Sequence, residues 1–117
     1  MWAGAMAENE QTRDGTTIMI REVAELRIKE GTDEEFLAAV EKAVPLFKAA
    51  EGCQGMRLEK VIETPSLYRL IVQWATLEDH TVKFRGSDDF QKWRALAGPF
   101  FAEPPSVDHC ETCVSGF

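Results

Sequence analysis

Between residues 17 and 29 the chain alternates. Its even positions read Ile18, Ile20, Glu22, Ala24, Leu26 and Ile28, while the odd ones are mostly polar. A period of two is that of a half-buried strand. Glu22 is the one misfit on the apolar face, explained either by a bulge or by a functional role. Gly31 ends the strand, and Thr32-Asp33-Glu34-Glu35 has the pattern of a capping box. Phe36, Val40, Val44 and Phe47 follow at helical spacing, with Leu37 and Ala43 alongside, so an amphipathic helix is expected. Pro45 removes a helix hydrogen bond and predicts a kink or a single last turn, with Gly52 as the stop.

Residues 53–63 form a second predicted strand, with Met56, Leu58 and Ile62 on one face. Thr64-Pro65-Ser66 is turn chemistry, so residues 67–75 should return antiparallel. That run places Tyr68, Leu70, Val72 and Trp74 on one face and Leu67, Arg69, Ile71 and Gln73 on the other. Thr76-Leu77-Glu78-Asp79 resembles a helix start, with Leu77, His80, Thr81 and Phe84 on one stripe and Glu78-Asp79 as a solvated cap. Gly86-Ser87-Asp88 breaks and recaps the chain, Phe90, Trp93, Arg94 and Ala97 continue on a short helix, and Gly98-Pro99 ends it. Residues 106–114 read as a last strand. The order is β-α-β-β-α-β with a broken second helix. This is an α+β, ferredoxin-like antiparallel sheet with helices on one face. Leu67 and Ile71 on the opposite face predict a covering partner, most simply a second copy of the chain.

A chain of 117 residues fits one domain, read here as residues 17–117 after a loose leader over residues 1–16. With 13 Lys+Arg against 20 Asp+Glu, the formal charge is −7. Phosphate neutralisation needs the opposite balance, so neither nucleic acid nor an anionic membrane surface is an expected partner. No apolar run approaches the ~20 residues of a membrane span. Three cysteines without an export pattern point to a reducing compartment, and the cytoplasm is the expected location.

Dinucleotide, phosphate-loop and Gly-x-Ser-x-Gly signatures are all missing. Cys110 and Cys113 form a Cys-x-x-Cys. Three residues apart on a strand, however, they point to opposite faces, and the adjacent His109 does not mend the geometry. No metal site is therefore expected. His80 should face inward, either as a core histidine satisfied by a backbone carbonyl or as a base lining an apolar cavity. Trp74 ends the third strand just before it. Arg94 either snorkels outward or binds an anionic oxygen, and Tyr68 either donates a hydrogen bond or fills space.

Glu51-Gly52-Cys53-Gln54-Gly55 resembles the E-G-C-x-G segment of the antibiotic biosynthesis monooxygenase family. So does Leu70-Ile71-Val72-Gln73-Trp74 running into Leu77-Glu78-Asp79-His80, then Phe84 and a second short helix. The resemblance spans about residues 18–114. It implies a dimeric α/β barrel and, for some members, oxygenation of quinols, anthrones or related phenols without a metal, flavin or other cofactor. In that chemistry the substrate anion itself reduces dioxygen in a dry pocket. Carried over by position, Trp74 matches the tryptophan ending the third strand, His80 falls where relatives place a pocket histidine or tyrosine, and Arg94 matches a pocket arginine. The asparagine that anthrone oxidisers carry four residues before the tryptophan is Leu70 here. Heme-degrading relatives use an asparagine, a tryptophan and a histidine where this chain holds Ala24, Lys83 and Trp93, which argues against heme degradation.

The expected function is thus a homodimeric monooxygenase acting with dioxygen on a small aromatic or quinol-like substrate. His80 would be the base and Arg94 the oxyanion partner, with Trp74, Tyr68, Leu70, Phe84 and Trp93 against the substrate. The alternatives are a non-catalytic binding or stress-response protein and an isomerase or cyclase on the same fold.

Overall fold

The computed structural model describes residues 19–117, together with the backbone of a two-residue antiparallel pair, Thr12–Arg13 with Thr16–Thr17. The rest of the expected leader, and Ile18, lie outside the described residues. Strand β1 runs Ile20–Arg27, shorter than its alternating pattern, and Ile28 continues only as an isolated bridge to Phe101. Its even row is buried: Glu22, Ala24, Leu26 and then Ile28.

Helix α1 spans Asp33–Lys48 and buries Phe36, Ala39, Val40, Ala43 and Phe47 against the sheet. Val44 and Leu37, expected inward, are 44% and 42% exposed, because the buried stripe passes through Ala39 and Ala43 instead. Thr32 does not form the expected capping box. Its hydroxyl donates backward to the Lys29 carbonyl, and Asp33, Glu34 and Glu35 face the positive end of the helix dipole. Pro45 stands within the last turn, where the helix continues only to Lys48.

Strand β2 is Cys53–Lys60 and β3 is Leu67–Trp74. The turn between them needs a left-handed residue, supplied by Ser66 at φ 67°. Ile62, expected on the apolar face of β2, lies in this turn and is 90% exposed. The face of β3 carrying Tyr68, Leu70, Val72 and Trp74 is buried as the alternation predicts.

The broken second helix is a π-helical turn, Asp79–Phe84, followed by α2, Asp88–Ala97. Arg85 N–H donates to His80 O, an i→i+5 bond. The wider turn shifts the phase, so Leu77 is 40% exposed while Asp79, His80 and Phe84 are buried. Asp79 is not the solvated cap expected: its carboxylate accepts from Thr76 N–H, and Thr76 Oγ1 accepts from Asp79 N–H. A short 3-10 turn, Gly98–Phe100, leads to β4, Ser106–Glu111, which ends before Cys113.

The four strands form one antiparallel sheet in the order β2-β3-β1-β4, with the helices on one face. Between helices and sheet, Phe47 packs on Phe84 and Trp93 at 4.9 and 5.3 Å between ring centroids, and Trp74 packs on Phe84 at 5.5 Å. Each such buried side chain contributes roughly 1.5–3 kcal/mol, and together they hold the π-turn and α2 onto β3. On the opposite face Leu67 and Ile71 are already buried to 7% and 8% exposure within the chain, beside an Arg69–Glu25 ion pair at 3.2 Å. No helix among the described residues is long and apolar enough to cross a membrane.

Candidate active site

Register places Glu22 of β1 opposite Val72 of β3 on one side and His109 of β4 on the other. Directly paired residues share a face, so the Glu22 and His109 side chains both rise on the helix side. The π-turn lowers His80 onto them. Its Nε2 lies 3.3 Å from Glu22 Oε1, and its Nδ1 lies 2.8 Å from His109 Nε2. Trp74 Nε1–H donates to the same Glu22 oxygen at 2.9 Å, and its indole stacks on the His80 ring at 5.3 Å. Glu22 and His80 are 5% and 3% exposed, whereas His109 is half-buried.

A carboxylate and an imidazole this close would ordinarily drive each other to ionise. Removal from water opposes that more strongly. Burial pushes the Glu22 carboxyl up to about 7, against the Trp74 hydrogen bond and the Arg85 charge, which both lower it. Burial also pushes His80 down to about 4, helped by Arg85 and His109, and His109 is lowered for the same first reason. Near neutral pH both rings are therefore uncharged, and the carboxyl is poised between its two forms.

The three groups lie within hydrogen-bond reach in a row, so the direction of the bonds follows where the protons sit. With Glu22 ionised, His80 Nε2–H donates to it and His109 Nε2–H donates to His80 Nδ1. With Glu22 protonated at Oε1, it donates to His80 Nε2, and His80 Nδ1–H donates to His109. Glu22 and His109 meet opposite edges of the His80 ring, so one metal ion could not take all three. Among the described residues no cluster of His, Cys, Asp and Glu has a metal-binding arrangement.

Glu22 and His80 sit on the wall of a cavity of about 760 Å³ between the sheet and α2. Its other walls include Ala24, Leu26, Leu70, Phe90, Trp93, Phe101 and Val107, with Arg85, Gln91 and Arg94 at polar positions. That is the size of a pocket for a small polycyclic molecule.

Of the residues expected at a site, His80, Arg94, Leu70 and Trp93 line this cavity. Trp74 and Phe84 pack behind His80 instead, and Trp74 orients Glu22. Tyr68 lies at the far end of β3, where its hydroxyl donates to Asp33 at the start of α1. Glu22, His109 and Arg85 were not expected as partners. The broken alternation at Glu22 was the signal available. His80 is satisfied by two side chains, not by the backbone carbonyl that a core histidine would use. Cys110 pairs in register with Arg21, and Cys113 lies beyond β4; both thiols are free and exposed.

The model of the antibiotic biosynthesis monooxygenase family matches residues 19–96, from the start of β1 through α2. The uncharacterized protein YczJ of Bacillus subtilis (strain 168) is 44% identical over 91 residues, covering 78% of this chain and 96% of its own. A crystal structure of a family protein from Bordetella bronchiseptica is 46% identical with a TM-score of 0.81, covering 82% of this chain and 98% of its own. Another, from Caulobacter crescentus, shares the fold at 22% identity and a TM-score of 0.72, covering 82% of this chain and 91% of its own. The order β-α-β-β-α-β, the E-G-C-x-G segment and these matches agree: the chain belongs to the antibiotic biosynthesis monooxygenase family.

Proposed function

We propose that this protein is an oxygenase that inserts one atom of dioxygen into a small phenolic or quinol-like molecule, without a metal or flavin. The observation that carries this reading is a buried carboxyl–imidazole pair, held near its own neutral point, on the wall of an otherwise largely apolar cavity. Such a pair suits removal of a proton from a weakly acidic O–H or activated C–H at neutral pH. The ionised Glu22 takes the proton, and His80 Nε2–H and Trp74 Nε1–H steady the carboxylate before the transfer. His80 is then the partner of the base. Arg94 faces the oxyanion that proton loss creates, while Leu70 and Trp93 flank the ring and exclude water.

The electron balance needs no further reductant. An anthrone methylene and dioxygen give a carbonyl and water, and a hydroquinone and dioxygen give a hydroxyquinone and water. In each case the substrate supplies both electrons for the oxygen atom that leaves as water.

The homodimer belongs to the same reading. A second copy over the sheet face of Val23, Leu67 and Ile71 would complete the barrel, and the small molecule and dioxygen are its other partners.

The test is oxygen consumption by the chelator-treated protein against a panel of hydroquinones and anthrones, with Glu22→Gln and His80→Ala alongside. Uptake unaffected by chelation and reduced about a hundredfold or more in Glu22→Gln is expected. Uptake equal in all three proteins would keep an oxygenase and remove this pair from it. No uptake with any compound would favour a binding protein or an isomerase.

A further inference from the structure

Two cations open onto this cavity without forming an ion pair. Arg85 stands at the end of the π-turn and Arg94 on the second turn of α2, both exposed and both on the cavity wall. Of the ten other cations among the described residues, Arg21, Lys29, Lys42, Lys48 and Lys60 likewise form no ion pair, and the remaining five do. Arg27 pairs with Glu103, Arg57 with Glu59, Arg69 with Glu25, Lys83 with Glu51 and Asp79, and Lys92 with Asp89. Among the described residues neither Arg85 nor Arg94 has such a pair.

In a chain with 20 acidic and 13 basic residues, acidic partners are abundant. What sets these two apart is their place: the cavity wall carries both guanidinium groups against one acid, Glu22, a local reversal of the chain's charge balance. The single acid on the same wall, Glu22, is turned toward His80 and Trp74 and forms no ion pair with either arginine. The remaining lining is mostly apolar, with Leu70, Trp93 and Phe101 among it.

A ligand matching this distribution has a flat apolar body and one planar oxyanion at its edge, the geometry a guanidinium grips with paired N–H donors. We propose that the cavity takes an aromatic carboxylate, its ring against Leu70 and Trp93 and its carboxylate held by Arg85 and Arg94. This rests on the cavity being the ligand site of the preceding reading and adds the substrate class. In that arrangement Arg85 is a specificity-determining residue.

The test is direct binding of 2-naphthoate and of its neutral isostere 2-naphthamide at pH 7, followed by calorimetry on the full chain and on Arg85→Gln, Arg94→Gln and the double variant. Both arginines are exposed, and unchanged thermal unfolding midpoints check that the variants remain folded. The expected result is naphthoate bound about tenfold or more tighter than naphthamide. That preference should shrink severalfold in each single variant, vanish in the double, and weaken between about 50 and about 500 mM salt. Naphthamide affinity should stay level throughout. Equal affinity for the two probes, no binding of either, or a preference surviving the double substitution would overturn the proposal. Since the readout is binding without turnover, loss of the carboxylate preference leaves the oxygen-uptake reading standing, and loss of oxygen uptake leaves the carboxylate preference standing.

Discussion

Glu22 interrupts an otherwise apolar row of β1, and the interruption is where buried titratable groups gather. Its partners arrive from β3, β4 and the π-turn, so nothing in the local alternation could have named them. The pair also leaves a mark on stability. Glu22 has a folded pKa of about 7 against an ordinary value of 4.5, so between those pH values the folded chain binds more protons than the unfolded one. Its contribution is fully present below about pH 4.5 and is lost as pH rises through 7, by about 3 kcal/mol. His80, lowered from 6.5 to about 4, acts in the opposite sense: its contribution is lost as pH falls from 6.5 through 4. The two slopes offset each other between about pH 4.5 and 6.5. Urea unfolding of the wild type and of Glu22→Gln across pH 4 to 8 separates them. The variant should gain stability relative to wild type as pH rises, and a constant difference would contradict the raised carboxyl.

Gly52, in the E-G-C-x-G segment, has a comparably specific reason to be glycine. It takes φ 80°, and a Cβ there would fall 1.9 Å from Asp79 Oδ2. Gly52→Ala must adopt an unfavourable backbone and displace the buried Asp79 that closes the loop before the π-turn. A loss of about 2–4 kcal/mol is expected in thermal unfolding.

At the scale of elements, period and turn chemistry carried most of the fold. The alternation of β1 and β3, the hairpin turn at Ser66 and the break at Gly86-Ser87-Asp88 all correspond to observed features. The misjudged positions have local causes: a turn, a helical stripe through small residues, and a wider helical turn. Ile62 fell into the turn, Val44 rotated out of the α1 stripe, and the π-turn moved Leu77 outward while burying Asp79. The site was less legible. His80 and Arg94 could be placed from helical spacing, but Arg85 and His109 needed the π-turn phase and the β4 register. The two helix starts make a paired prediction. Ser87 Oγ accepts from Phe90 N–H at the start of α2, whereas the Thr32 hydroxyl caps no N–H of α1. Ser87→Ala should lower stability by about 1 kcal/mol and Thr32→Ala by clearly less, read from urea midpoints.

For the whole molecule, the sheet separates two kinds of surface. One face carries the aromatic core and the cavity. The other mixes buried Leu67 and Ile71 with half-buried Val23 and the Arg69–Glu25 pair. A second copy seated there would bury these strands on both faces. Light scattering at micromolar concentration should give twice the chain mass, and Val23→Glu, opposite Ile71 and Asp108 in register, should shift it toward the monomer. A wild-type monomer would rule out the two-chain barrel.

In the proposed reaction a buried carboxyl, coupled to His80, accepts the substrate's proton. The pH profile of kcat/KM for oxygen uptake tests it most directly, on wild type and on Glu22→Gln with the best hydroquinone or anthrone of the panel. A rise governed by one group near pH 7 is expected in the wild type. In the variant the rate should be about a hundredfold lower and the rise absent. A profile that kept the same inflection in Glu22→Gln would contradict it.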